Sequence, residues 1–298
     1  MNEATERHDN EIRHGVLLGI LAYTVWGFFP AYFKMLTGIP PLEVVCHRIV
    51  WSLVFLVVIV SGRRRWHEVR QAFSSRKTVL TLTGTTILIA TNWLVFIFAV
   101  ERGEVLQSSL GYFITPLVSV LLGYLFLHER LRPLQLVSLM FAAIGVLAAA
   151  IHYGGLPWIA LILAFTFGLY GLLRKTAAVT AITGLTVETI LAGLPALLYL
   201  LSTSAAGTGA FLTGSTTRNL LLPLSGVVTA IPLIWFAAAA RRLRLATIGF
   251  LQYITPSLHF LLAVLAYGEE FSSTNVLSFL AIWCGLALFS YDAVRRSR

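Results

Sequence analysis

The sequence predicts an all-α membrane protein of ten transmembrane helices arranged as two inverted five-helix repeats. Three observations carry that prediction: apolar runs of membrane-spanning length recur along the chain, basic residues fill every second break between them, and the two halves align at a fixed offset.

Of the 298 residues, 57% are hydrophobic and 12% charged, and the mean hydropathy is +0.82. So few charges cannot clothe a water-facing surface. A helix needs about 20 mainly apolar residues to cross the hydrocarbon core. Runs of that size predict spans at 15–35, 42–61, 79–100, 105–126, 133–151, 156–173, 184–203, 219–240, 245–266 and 275–294. They are continuous and rich in Leu, Ala, Val and Ile, whereas barrel strands would alternate over short segments. Residues 1–14 are polar and lead straight into a full-length span, so a cleaved signal peptide is not expected. Cys46 and Cys284 fall inside predicted spans, and neither has a second cysteine at a metal-ligand or redox spacing. No metal or cofactor is expected.

The formal charge of +9 is a matter of topology rather than of nucleic-acid binding. Arg7 and Arg13 precede the first span. The next basic break holds Arg63, Arg64, Arg65, Arg70, Arg76 and Lys77, followed by Arg130 with Arg132, Arg174 with Lys175, Arg241 with Arg242 and Arg244, and Arg295, Arg296 and Arg298. If ten spans alternate, these share one side, leaving only Lys34, Arg48, Arg102 and Arg218 elsewhere. The positive-inside rule makes that side cytoplasmic, with both termini.

Shifting the chain by 140 residues lays the fourth and fifth spans on the ninth and tenth: Ile114-Thr115-Pro116 falls on Ile254-Thr255-Pro256, Glu129 on Glu269, Ser138 on Ser278 and Gly145 on Gly285. One residue more brings Gly27 and Lys34 onto Gly168 and Lys175. With five spans per half, the second half enters the membrane from the opposite side. The organisation read here is a cytoplasmic segment at 1–14, repeats at 15–151 and 156–294, and a cytoplasmic tail at 295–298. Inverted repeats recur among secondary transporters, which bind substrate near the bilayer midplane at the repeat interface.

Particular stretches carry a family resemblance: TVWGFFPAYFK at 24–34, EVVCHRIVWS at 43–52, NWLVFIFAV at 92–100, SSLGYFITPL at 108–117, YGLLRK at 170–175, the run around Glu188, RRLRLATIGFLQYITPSL at 241–258 and YGEE at 267–270. With them the chain resembles the EamA family of the drug/metabolite transporter superfamily, in its RarD branch of chloramphenicol-sensitive-protein type permeases. Thr115 and Thr255 depart from the Asn or Gly expected in similar chains. The resemblance implies a multi-pass permease of the bacterial inner membrane that exports small organic solutes, drugs or metabolites, by alternating access. It also implies that the 133–151 and 275–294 helices lie at the periphery. A flippase for a lipid-linked carrier and an intramembrane receptor are the alternatives. No nucleic acid is expected as a partner, only a small-molecule substrate and membrane lipids. With no GxSG, HExxH or paired intramembrane aspartates, an enzyme is not expected.

Pro116 and Pro256 sit near the middle of the fourth and ninth spans, where each removes a backbone hydrogen bond and frees the carbonyl of Tyr112 or Gln252. Paired helix breaks point to a binding site, although a packing kink gives the same sequence. Tyr23, Trp26, Trp93, Tyr112, Tyr170 and Tyr253 are polar aromatics suited to stacking on planar or cationic solutes, though rings also serve core packing and interfacial belts. Asn92, Thr115 and Gln252 add hydrogen-bonding groups to this candidate substrate site. Glu43, His47 and Arg48, near the outer end of the second span, form either a gate or ion-coupling cluster or an interfacial ion lock, and His259 and Glu188 are weaker candidates of the same kind.

Overall fold

The computed structural model describes residues 3–102, 104–153, 158–213 and 215–267, with scattered helical positions between 276 and 291. All regular structure among them is helical. The first span is two helices, α1 (Glu3–Gly27) and α2 (Phe29–Lys34), with the bend at Phe28. Pro30 lies in the first turn of α2, where its missing N–H costs nothing inside the helix. The helices α3 (Pro41–Gly62), α4 (Trp66–Ser74), α5 (Arg76–Glu101), α6 (Val105–Leu127), α7 (Pro133–Tyr153), α8 (Trp158–Thr176), α9 (Ala181–Ala205), α10 (Thr216–Arg242), α11 (Leu245–Leu251) and α12 (Ile254–Tyr267) follow. Ser75, Thr180 and Ser215 cap α5, α9 and α10, each accepting a hydrogen bond from the amide three residues on.

Among the described residues, seven helical segments are long and apolar enough to cross a membrane. The fifth expected span is α7, the ninth is divided between α11 and α12, and the tenth lies largely outside the described residues. The tenth's helical positions include Gly285, packed close to the Ser138 carbonyl of α7. Residues 295–298 of the expected tail, with Ser278, Glu269 and Asp292, also lie outside them.

The two prolines behave differently. No break occurs at Pro116: α6 runs through it, and the Thr115 hydroxyl donates to the Gly111 carbonyl at 2.8 Å. In the ninth span the chain turns at Gln252 and Tyr253, and the Gln252 carbonyl, expected to be freed by Pro256, accepts the Thr255 N–H at 3.1 Å. The reason is the tighter i→i+3 bonding available at a helix start, which satisfies carbonyls that a mid-helix proline would strand. A further departure is α4, in the stretch read as a connecting loop. Val69 and Ala72 are buried in a cluster with Val60, Leu82 and Val187, and Glu68 accepts from Thr183 at 2.6 Å, tying α4 to the start of α9. That bond, with Arg65 and Thr180 nearby, holds the Glu68 carboxyl below its ordinary pKa.

Packing recurs when the halves are exchanged. α8 lies against α5 and α6; α1 lies against α10 and α12. The contact of α3 on α10 is matched by α9 on α5, and α3 on α9 is its own counterpart. Outward faces are apolar: Val58, Leu80, Ile87, Ile144, Leu147, Leu198 and Leu220 are all more than half exposed. A lipid surround accommodates such a skin and water does not.

Interhelical bonds gather the basic breaks at one end of the bundle. Arg242 pairs with Glu11 at 2.8 Å. Lys175 donates to the carbonyls of Ala240 and Leu243, and Arg241 to that of Val179. Arg244 donates to the Arg130 carbonyl at 2.6 Å, and Glu129 accepts the Leu245 N–H at 2.9 Å. At the opposite end Arg218 donates to the Thr37 carbonyl at 3.0 Å, and Glu43 accepts the Ala210 N–H at 2.6 Å.

Candidate functional site

A central cavity opens where the packed helices of both halves meet. The first half supplies Tyr23 and Trp26 of α1, Phe29 of α2, Arg48 of α3, Asn92, Trp93 and Phe96 of α5 and Tyr112 of α6. The second supplies Phe167 of α8, Gln252 at the turn and Thr255 of α12. Helical spacing explains the set, since positions three or four apart, such as Tyr23 and Trp26 or Asn92 and Phe96, share one face.

The walls are mostly aromatic edges. The Trp26 ring lies 5.4 Å from Tyr23, 5.4 Å from Phe167 and 5.6 Å from Phe236, while Phe96 lies 5.7 Å from Tyr112. This packing leaves a cavity of about 30 Å³. An apolar cavity that takes up a benzene ring measures about 150 Å³, so this space is several-fold too small for one. A solute of even one ring requires the helices to part.

The polar groups divide into those already engaged and those that are not. Asn92 donates to the Leu163 carbonyl at 3.0 Å and to Thr166 at 2.9 Å, joining α5 to α8. Thr255 donates across to the Tyr23 carbonyl at 2.8 Å, joining α12 to α1. The Tyr23 hydroxyl, the Gln252 Oε1 and the Arg48 Nη1 are buried without a hydrogen-bond partner.

Of the nine residues expected to bind substrate, Tyr23, Trp26, Asn92, Trp93, Tyr112 and Gln252 line this cavity. The other three face elsewhere. Thr115 bonds its own helix. Tyr253 packs with Phe113 and Phe250 in a separate cluster. Tyr170 stacks on Phe236 at 5.9 Å and donates to Glu188 at 3.4 Å. The grouping of Glu43, His47 and Arg48 is also divided. Glu43 and His47, 3.9 Å apart, stay together near Ala210 and Phe211. Arg48, one residue on, turns into the cavity, with its Nε donating to Thr229 at 2.9 Å. Adjacent helical residues diverge by about 100°, which separates them once the helix is packed on several sides.

Arg48, expected in a gate or ion-coupling cluster, also lines the cavity, as do Thr255, Phe29, Phe96 and Phe167, which lie outside the nine. The aromatic three have a signal in their i, i+3 and i, i+4 spacing from Trp26, Asn92 and Tyr170. Arg48 had one in being a cation within a span. Below the aromatic layer, Glu188 accepts from Thr85 at 2.6 Å and lies 3.6 Å from Arg174, both charges being only 2% exposed. His259 contacts the Trp26 carbonyl at 3.1 Å and the Tyr112 ring at 5.6 Å. Among the described residues, no cavity residue comes from α7, whose Met140, Ile144 and Leu147 are exposed.

Comparison with known proteins places the chain in company. The model of the EamA-like transporter family matches residues 13–151. A protein named RarD from Salmonella typhi is 45% identical over 288 residues, covering 97% of this chain and 98% of its own length. A transporter from Bacillus subtilis, YojE, is 44% identical with 97% of each chain covered. The chloramphenicol-sensitive protein RarD of Pseudomonas aeruginosa is 33% identical, covering 95% of this chain and 96% of its own. A solved crystal structure only 18% identical superposes with a TM-score of 0.69 over 92% of this chain and 96% of the other, a likeness of fold alone.

Proposed function

The chain belongs to the EamA-like transporter family and is a multi-pass membrane protein, and from that premise we propose that it carries small organic solutes across the bacterial inner membrane by alternating access, as an exporter, with the central cavity as its binding site. One observation carries the reading: residues from both halves enclose an aromatic space holding buried, unpartnered polar groups. Lipid cannot satisfy such groups, and a solute seated there could. Because the space is too small for a ring-sized solute, transport requires rearrangement. The recurrence of helix contacts on exchanging halves supports ten spans in two inverted repeats, which supply two related packings able to open toward opposite sides.

The test is flux in proteoliposomes holding purified protein, with a panel of labelled aromatic carboxylates, amphenicols and cationic drugs. Gln252→Ala should lower flux of the carried solute about tenfold, the worth of roughly one lost hydrogen bond, at unchanged folded yield. Tyr253→Ala should instead lower yield and melting temperature, since its ring is packing. Full flux in folded Gln252→Ala, Trp26→Ala and Trp93→Ala variants alike would remove the cavity from transport.

Orientation follows from the gathered basic end, proposed as cytoplasmic. In a Cys284→Ser background, with Cys46 buried, a Thr208→Cys variant should react with an impermeant thiol reagent in intact cells. A Ser74→Cys variant should react only after permeabilisation. The reverse pattern would invert the topology.

A further inference from the structure

The cavity contains a cation and no anion. Arg48 is 1% exposed, its Nε is engaged by Thr229, and its Nη1 has no partner. Among the described residues it takes part in no ion pair, and no carboxylate lines the cavity. The other buried charges in spans differ. Glu43 holds a backbone N–H and stands beside His47, and Glu188 has Arg174. Guanidinium does not shed its proton within a protein, so burial leaves a permanent charge.

Rings supply part of what water would have given. The Arg48 Cζ lies 4.5 Å from the Trp93 ring centre, 4.9 Å from Phe33 and 5.6 Å from Phe29. Attraction to a ring quadrupole is weaker than the hydration an ion gives up on burial. The rings flank the guanidinium, and none of them offers Nη1 the hydrogen bond it lacks. A cationic solute would meet this charge and be repelled. The stacking surfaces that favour cations elsewhere are here already occupied by one.

We propose that Arg48 anchors the carboxylate of a small organic acid, whose planar or apolar body lies among Trp26, Trp93, Phe96 and Phe167. The proposal rests on the cavity being the transport site. One uncompensated positive charge matches one negative charge, so a carboxylate is preferred to a phosphate dianion, whose second charge would be buried without a partner. Gln252 Oε1 and the Tyr23 hydroxyl are neutral acceptors, suited to an N–H or O–H donor on the same solute.

Three probes with one body separate the charge from everything else: phenylacetate, phenylacetamide and phenethylammonium, with phenyl phosphate and inorganic phosphate beside them. Binding to purified protein is read by thermal shift and by competition for flux. Phenylacetate should bind at least about tenfold more tightly than the amide, the weight of one charge-assisted hydrogen bond, and phenethylammonium should not compete. Arg48→Gln should abolish that preference, and Arg48→Lys should retain part of it. Three results would overturn the proposal: the amide, the cation or phenyl phosphate binding as well as phenylacetate, no anion-dependent response at all, or a folded Arg48→Gln variant that keeps the preference. If Arg48→Gln fails to fold, the comparison among probes on the parent chain still decides. Failure of the underlying reading looks different: phenylacetate would bind with its Arg48-dependent preference, yet flux of the carried solute would be untouched by Trp26→Ala, Trp93→Ala and Gln252→Ala.

Discussion

Membranes bearing a Glu188→Ala variant are expected to yield a small fraction of the folded protein obtained from the parent chain, with a melting temperature sharply lowered in detergent. Glu188 of α9 faces Arg174 of α8 at 3.6 Å, and both side chains are only 2% exposed. The carboxylate also accepts from Thr85 at 2.6 Å and from Tyr170 at 3.4 Å. Without it, the hydrogen bond from Arg174 Nη2 to the Ala181 carbonyl, at 3.0 Å, is the one such partner left to a buried guanidinium whose Nε and Nη1 already lack one. Breaking a buried pair from one side costs about 3–5 kcal/mol, a large share of the stability of an ordinary domain. Glu188→Gln keeps the acceptor for Thr85 and should fall between. Replacing both partners together, Glu188→Leu with Arg174→Met, should recover much of the loss, because no stranded charge remains. Equal melting of the Glu188→Ala variant and the parent would mean that Arg174 finds water or another acceptor.

A second large effect is expected from Gly226→Val. Gly226 of α10 packs directly on the backbone of α3. A Cβ there would fall within contact distance of the Trp51 carbonyl carbon and of the Ser52 amide nitrogen. The Ser52 hydroxyl donates to the Gly226 carbonyl at 3.0 Å, so the same approach supports a buried bond. A crowded side chain can rotate away, whereas two helix backbones must separate. The expected cost is at the upper end of the roughly 1–3 kcal/mol typical of overpacking, read as lost folded yield. Gly84→Ala is the control, since its nearest neighbour would be Leu173 Cδ1 at 3.8 Å, ordinary contact. That variant should melt at or slightly above the parent temperature, given the higher helix propensity of alanine. Comparable loss from both substitutions would show the effect to be one of glycine in helices rather than of this crossing.

Helix positions were legible because each apolar run ends in charges or in Gly and Pro. The second span, expected at 42–61, is α3 at Pro41–Gly62, and the fourth, expected at 105–126, is α6 at Val105–Leu127. Local events inside runs were less so. The bend at Phe28 and the turn at Gln252 and Tyr253 depend on neighbouring helices, and α4 is too short for hydropathy to register. Side-chain direction was the least accessible property. In a soluble helix the polar face marks the outside, but here both faces of a span are apolar. Nothing in the order Glu43, His47, Arg48 says that the first two stay at the helix end and the third enters the cavity. Tyr253 and Gln252 illustrate the same difficulty, as adjacent residues at a turn that serve different neighbourhoods.

The repeated Ile-Thr-Pro element shows how sequence and neighbourhood can part. In one copy the threonine hydroxyl is spent within its own helix, on Gly111; in the other it reaches a different helix, at the Tyr23 carbonyl. Identical letters therefore answer to unlike constraints. A change tolerated at Thr115 carries no licence for Thr255, and the two positions are free to vary independently of each other.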